Sequence, residues 1–140
     1  MPMIDVTAKA DTFADKPALV QALTAAMMKW EQVPQIDMFI DNTAAFIHEL
    51  PADAFGDAAG QSNHIRINVL TPVGILDRDK KLGVTAALTD LVVAASGDPA
   101  LKDRTWVLIS ETPDGGWGLG GHAYTNAEIA AEARRRLSGA

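Results

Sequence analysis

Two stretches of this chain follow one template. Asp41 to Pro51 and Asp103 to Pro113 share the frame D-x-T-x-x-x-I-x-E-x-P, and at the same offset beyond each lie Phe55-Gly56 and Trp117-Gly118. A run that follows a turn-forming Asp, is rich in apolar residues and stops at a proline reads as a strand with both its ends. The chain therefore holds that strand twice, and the segments before it match as well. Ile4, Val6 and Ala8 alternate with Asp5 and Thr7, and Ile65, Ile67 and Val69 alternate in the same way, the period of a half-exposed strand. Each alternating strand is followed by a helical pattern. The first runs from Lys16 to about Trp30, with Asp15 as N-cap, Pro17 in the first turn, Leu19, Val20, Leu23, Met27 and Trp30 as its apolar stripe, and Val33-Pro34 as its stop. The second is capped by Asp77, carries Val84, Leu88, Leu91, Val92 and Ala95, and stops at Ser96-Gly97-Asp98-Pro99.

A strand, a crossover helix and a second strand occupy about 60 residues, so the pattern predicts two tandem β-α-β units. The pseudo-repeats span about 2–60 and 63–121, joined through Pro51 to Asn63. A final helix is expected over about 126–137, opened by the capping box Thr125-Asn126-Ala127-Glu128 and closed by Arg134, Arg135 and Arg136, whose charges favour the helix dipole. Each unit pairs its strands in parallel, and two units make one four-stranded sheet with both helices on one face. The expected class is thus α/β (α+β), with 1–140 as a single domain. Such a sheet leaves its other face open, and Ile4, Val6, Ile65 and Ile67 are expected to find cover on a neighbouring subunit.

Composition narrows the function. With 140 residues, 48% of them hydrophobic, the chain suits one compact unit. Its 12 basic and 18 acidic residues give a net charge of -6, the opposite of a nucleic-acid binder's footprint. There is no cysteine, which removes thiolate metal sites, disulfides and cysteine nucleophiles. His48, His64 and His122 lack metal-ligand spacing, no G-x-S-x-G stands in the chain, and the glycines at 115–121 lack the Lys-Ser/Thr ending of a phosphate loop. The first residues lack a basic region followed by an apolar run, and no uninterrupted apolar stretch approaches membrane-spanning length. The expectation is a cytoplasmic protein that uses neither metal nor cofactor and binds neither nucleic acid nor membrane.

The opening dipeptide, Met1-Pro2, suggests the chemistry. Methionine before a small residue such as proline is normally removed, which would expose a secondary amine carried directly on the backbone. Burial lowers such an amine's pKa toward neutrality, where it can take a proton from carbon and return it elsewhere.

An N-terminal proline opening a strand, a β-α-β unit, and a strand ending in Ile109-Ser110-Glu111 followed by Gly116-Trp117-Gly118-Leu119-Gly120-Gly121 together resemble the tautomerase superfamily. The second half is similar to 4-oxalocrotonate tautomerase. The doubled length is similar to the fused members, such as macrophage migration inhibitory factor, malonate semialdehyde decarboxylase and cis-3-chloroacrylic acid dehalogenase. The resemblance implies a homotrimer, with the Gly-rich hairpin reaching the neighbouring subunit, and cofactor-free chemistry on a small-molecule substrate with Pro2 as catalytic base. It implies Trp117 as the aromatic wall of the site. The second half places Asn63 or His64 where a proline would stand, so each chain is expected to hold one proline site.

The departures are equally specific. The stretch Thr71 to Asp77 is apolar where carboxylate-binding relatives carry arginine, Trp106 replaces the strand arginine of the single-length enzyme, and Leu108 replaces the dehalogenase tyrosine. The arginines outside the C-terminal run are Arg66, Arg78 and Arg104, and Arg66 and Arg78 rank ahead of Arg104 as candidates for a carboxylate clamp. Val33-Pro34-Gln35-Ile36-Asp37 fits the V-P-x-x-D of decarboxylase-like members, which makes Asp37 a candidate partner in hydration, decarboxylation or dehalogenation. Two alternatives stand beside a keto-enol tautomerase: a Pro2-dependent activity of that second kind, and a trimeric binding or structural protein that has kept the fold without the chemistry.

Overall fold

The computed structural model describes residues 1–139. Strand β1 (Met3–Lys9) leads to helix α1 (Lys16–Glu31), a one-turn helix α2 (Asp37–Ile40) and strand β2 (Ala44–Leu50), and the small hairpin of β3 (Gly56–Asp57) and β4 (Gly60–Gln61) closes the first half. The second half repeats the order with β5 (Ile65–Pro72), α3 (Arg78–Ser96), a 3-10 segment at Pro99–Arg104, β6 (Thr105–Thr112) and the hairpin of β7 (Trp117–Leu119) and β8 (His122–Tyr124). Helix α4 (Asn126–Leu137) follows.

Each half closes on the same local devices. Asp15 caps α1 by accepting from the Ala18 N–H at 3.1 Å, and Asp77 caps α3 by accepting from the Lys80 N–H at 2.8 Å. The repeated frame proves to be scaffolding. Its threonines, Thr43 and Thr105, both donate at 2.8 Å to the carbonyl four residues back, on Phe39 and Leu101, and so tie each second strand to the helical turn before it. Its glutamates both reach a lysine in the first turns of their own unit's helix, Glu49 to Lys16 at 2.8 Å and Glu111 to Lys81 at 3.1 Å.

The four long strands form one sheet in the order β2-β1-β5-β6. Within each half the pairing is parallel, β1 with β2 and β5 with β6, as a crossover requires, whereas β1 and β5 run antiparallel and join the halves. Ile4, Val6, Ile65, Ile67 and Val69 are fully buried against Leu23 and Met27 of α1 and Val84, Leu88 and Val92 of α3. Burying each such side chain contributes about 1.5–3 kcal/mol. This corrects the expectation that Ile4, Val6, Ile65 and Ile67 need a neighbouring subunit, because the two helices lay their apolar stripes on the most apolar face of the sheet. The open face carries the alternate residues instead. Phe46, Asp5, Asn68 and Leu108 stand in one row across the four strands, and Phe46 and Leu108 are each about half exposed.

The arginine run is held within α4. Glu132 accepts from Arg135 at 2.6 and 2.8 Å and from Arg136 at 2.7 Å, and these two guanidinium groups pull its carboxyl down to about 2.

Candidate functional site

The start of the chain is built into the fold. The carbonyl of Pro2 accepts from the Ala44 N–H at 3.1 Å, which carries the β1/β2 ladder back onto Pro2 itself. Proline has no N–H to offer a ladder and suits the position just before a strand. Pro2 is fully buried and Met1 is 4% exposed. Around Met1 gathers a second apolar cluster, separate from the core under the sheet, made of Met28, Met38, Phe39, Trp117 and Ala133. Helix α1, the turn α2, the Gly-rich hairpin and α4 thus all meet at the N-terminus.

A carboxylate lies inside this cluster. The Met1 ammonium stands 3.5 Å from Oε1 of Glu31, and Oε2 of Glu31 accepts from the Thr71 hydroxyl at 3.2 Å. Glu31 is 6% exposed and Thr71 is fully buried. Burial pushes the Glu31 carboxyl above its usual range, opposed by the ammonium, the Thr71 hydroxyl and the charge of Lys80. Burial likewise lowers the pKa of the Met1 amine, opposed by Glu31. Desolvation thus drives both groups toward their neutral forms.

Met1 and Glu31 border a cavity of about 170 Å³. Val33, Phe39, Pro72 and Ile75 supply apolar walls, and α4 closes it with Asn126, Ile129 and Ala130. The Asn126 amide donates to the Val73 carbonyl at 2.7 Å, which fixes the start of α4 over the end of β5.

The residues expected from sequence scatter around this centre. Trp117 is buried in the Met1 cluster, so the hairpin is anchored within its own subunit. Arg66 is exposed on the open sheet face, on a second, smaller pocket with His64 and Trp106, whose rings stack at 4.3 Å. Arg78 opens α3 and lines a broad surface groove with Lys81, Leu82 and Lys102. Asp37 is exposed at the start of α2, on a cleft with Gln35 and Arg136. None of Arg66, Arg78 and Asp37 lines the Met1 cavity. At the matching start of β5, Arg104 donates to Asn63, and His64 is bound by Ser62. Among the described residues, no three His, Asp or Glu side chains gather as a metal site, and no helix is long and apolar enough to cross a membrane.

Glu31 and Thr71 were not anticipated, although each had a signal. Leu19, Leu23 and Met27 step by four along the buried stripe of α1, and Glu31 is the next step. Ile65, Ile67 and Val69 alternate inward along β5, and Thr71 is the next inward position. A polar residue that continues an apolar series is a candidate for buried chemistry.

Comparison with known proteins follows the same lines. Residues 64–127 match the family profile described as "Tautomerase enzyme". A native fused 4-OT is 22% identical, with 86% of this chain and 94% of that chain covered at a TM-score of 0.72. The F6 fused 4-OT, an asymmetric trimer, is 21% identical over 86% of this chain and 94% of its own, at 0.71. N1, a member of the cis-3-chloroacrylic acid dehalogenase family, is 16% identical over 99% of both chains, at 0.73. No curated protein matches the sequence at a significant level.

Proposed function

We propose, from the match of residues 64–127 to the tautomerase family and the fold shared with a fused 4-OT, that this chain is a fused, double-length member of the tautomerase superfamily and a cofactor-independent tautomerase whose general base is the amine of Pro2 after removal of Met1. The observation that carries this reading is the buried N-terminus at the edge of a mostly apolar cavity. While Met1 is attached, the Pro2 nitrogen is a tertiary amide with no basic lone pair. Its removal would create the amine and vacate the space that Met1 fills, enlarging the cavity at that amine.

Desolvation in this setting holds an amine nearer neutrality than in water. The neutral amine takes a proton from the carbon beside a carbonyl, and the resulting ammonium returns a proton to carbon in the reverse direction. The substrate class is a small α-keto compound and its enol. Trp117 supports the wall through the Met1 cluster. The alternative that pairs Pro2 with Asp37 gains no support from an exposed Asp37 outside the cavity.

The working form is proposed to be a homotrimer. The half-exposed Phe46 and Leu108 on the open sheet face and the trimeric fused relative support that assembly.

The test combines intact mass with kinetics. The mature chain is expected to lack Met1, and Pro2→Ala is expected to lower kcat/KM for phenylenolpyruvate by at least about a hundredfold, the usual scale of a positioned acid or base. A chain that keeps Met1 removes Pro2 as the base and leaves the binding-protein reading in front, whereas a Pro2→Ala variant with full activity moves the chemistry to another group.

A further inference from the structure

We propose that Glu31 is the second proton-transfer group of this site, facing the Pro2 amine across the space that Met1 vacates. The inference rests on the Pro2 reading above and adds a residue to it.

The geometry comes from the backbone. The nitrogens of Met1 and Pro2 are three bonds apart, and the Met1 nitrogen is 3.5 Å from Oε1 of Glu31. Bond lengths limit the step between the two nitrogens, so the Pro2 nitrogen lies within about 7 Å of that carboxylate oxygen. A proton-transfer group works at about 3 Å from the atom it serves. An amine and a carboxyl at this separation can therefore flank one small molecule, one at its carbon and the other at its oxygen.

Glu31 is aimed for this task. Thr71 holds Oε2 at 3.2 Å and leaves Oε1 toward the Met1 nitrogen, on the side from which Met1 would be removed. Among the described residues, the rest of the cavity wall carries no other titratable side chain: Val33, Phe39, Pro72, Ile75 and Ile129 are apolar, and Asn126 is committed to the Val73 carbonyl. The charged groups acting on Glu31 are the terminal amine and Lys80 of α3.

The protons balance in both directions. From the keto side, the neutral amine takes the proton from carbon while the Glu31 carboxylic acid gives its proton to the carbonyl oxygen. The C–H bond breaks, a C=C and an O–H bond form, and an ammonium–carboxylate pair remains. From the enol side, the carboxylate takes the O–H proton and the ammonium protonates carbon. The burial that raises the Glu31 pKa favours the carboxylic acid that the first direction needs.

Glu31→Gln keeps the size of the side chain and an acceptor for Thr71 but cannot move a proton. With the fold intact by circular dichroism, kcat for phenylenolpyruvate and for its methyl ester is expected to fall by about a hundredfold or more. Glu31→Asp, which keeps a carboxyl, is expected to recover part of that loss. Equal losses in Gln and Asp variants, or activity kept in Gln, overturn the assignment. If Pro2→Ala is inactive while Glu31→Gln is active, Glu31 fails and Pro2 stands; if Pro2→Ala is active, the Pro2 reading fails. A second readout needs no turnover. The rate of reductive methylation of the mature N-terminus with formaldehyde, followed by mass against pH, is expected to inflect at lower pH in Glu31→Gln, because a facing carboxylate raises the amine's pKa. An unmoved inflection also overturns the proposal.

Discussion

Thr71→Val isolates the contact that orients Glu31. The substitution keeps the branched shape in a fully buried position and removes only the hydroxyl that donates to Oε2 at 3.2 Å. Hydrogen bonds to charged groups contribute about 1.5–3 kcal/mol. At this length, beyond the usual O–H···O range, the lower end applies, about 1.5 kcal/mol. The cost depends on pH with a definite sign. In the unfolded chain Glu31 titrates at its ordinary value of 4.5, and burial raises it in the folded chain. Burial alone therefore removes stability as pH rises through the folded pKa. The Thr71 bond opposes this by favouring the ionised form, so its contribution is largest at high pH and fades as pH falls and Glu31 protonates. Thermal unfolding should show Thr71→Val melting roughly 3–6 °C below the parent at pH 8.5, given about 2–4 °C per kcal/mol in a chain of this size class. The gap should narrow toward pH 5. A gap that stays constant with pH, or a more stable variant at pH 8.5, would refute an ionised Glu31 held by Thr71.

The parent is expected to run at about 45 kDa, three times the 14.9 kDa chain, and Phe46→Asp with Leu108→Asp should bring it to the mass of one chain by light scattering. A double variant that remains a trimer would mean that the open sheet face is not the interface. Because Arg66 and Arg78 lie away from the Met1 cavity, Arg66→Ala and Arg78→Ala should leave the ratio of kcat/KM for phenylenolpyruvate and its methyl ester nearly unchanged. A loss of about tenfold confined to the acid, about 1.4 kcal/mol of transition-state binding, would restore an arginine clamp.

Much of the fold was legible before any coordinates. The doubled frame from Asp41 and Asp103, the alternation at Ile4 and Ile65, and the caps at Asp15, Asp77 and Thr125 all act over a few neighbouring residues. Backbone geometry turns such short-range patterns into strands, helices and their ends. Pro2 and Trp117 could be singled out for the same reason, since each lies in a distinctive local motif. The face of the sheet that needs cover was misjudged, because alternation tells which residues share a face and not which face the helices choose.

The centre of the site belongs to tertiary structure. Glu31 ends a helix, Thr71 lies near the end of a strand, Met1 begins the chain and Ile129 sits in the last helix, and no local pattern links them. Each polar residue, taken within its own element, reads as the place where an apolar series stops. The antiparallel β1/β5 pairing sets the end of β5 beside the chain's start, and α1 returns its last turn to the same place. Only that packing removes water from Glu31 and the terminal amine together, and desolvation is what drives an ordinary carboxylate and an ordinary amine toward their neutral forms.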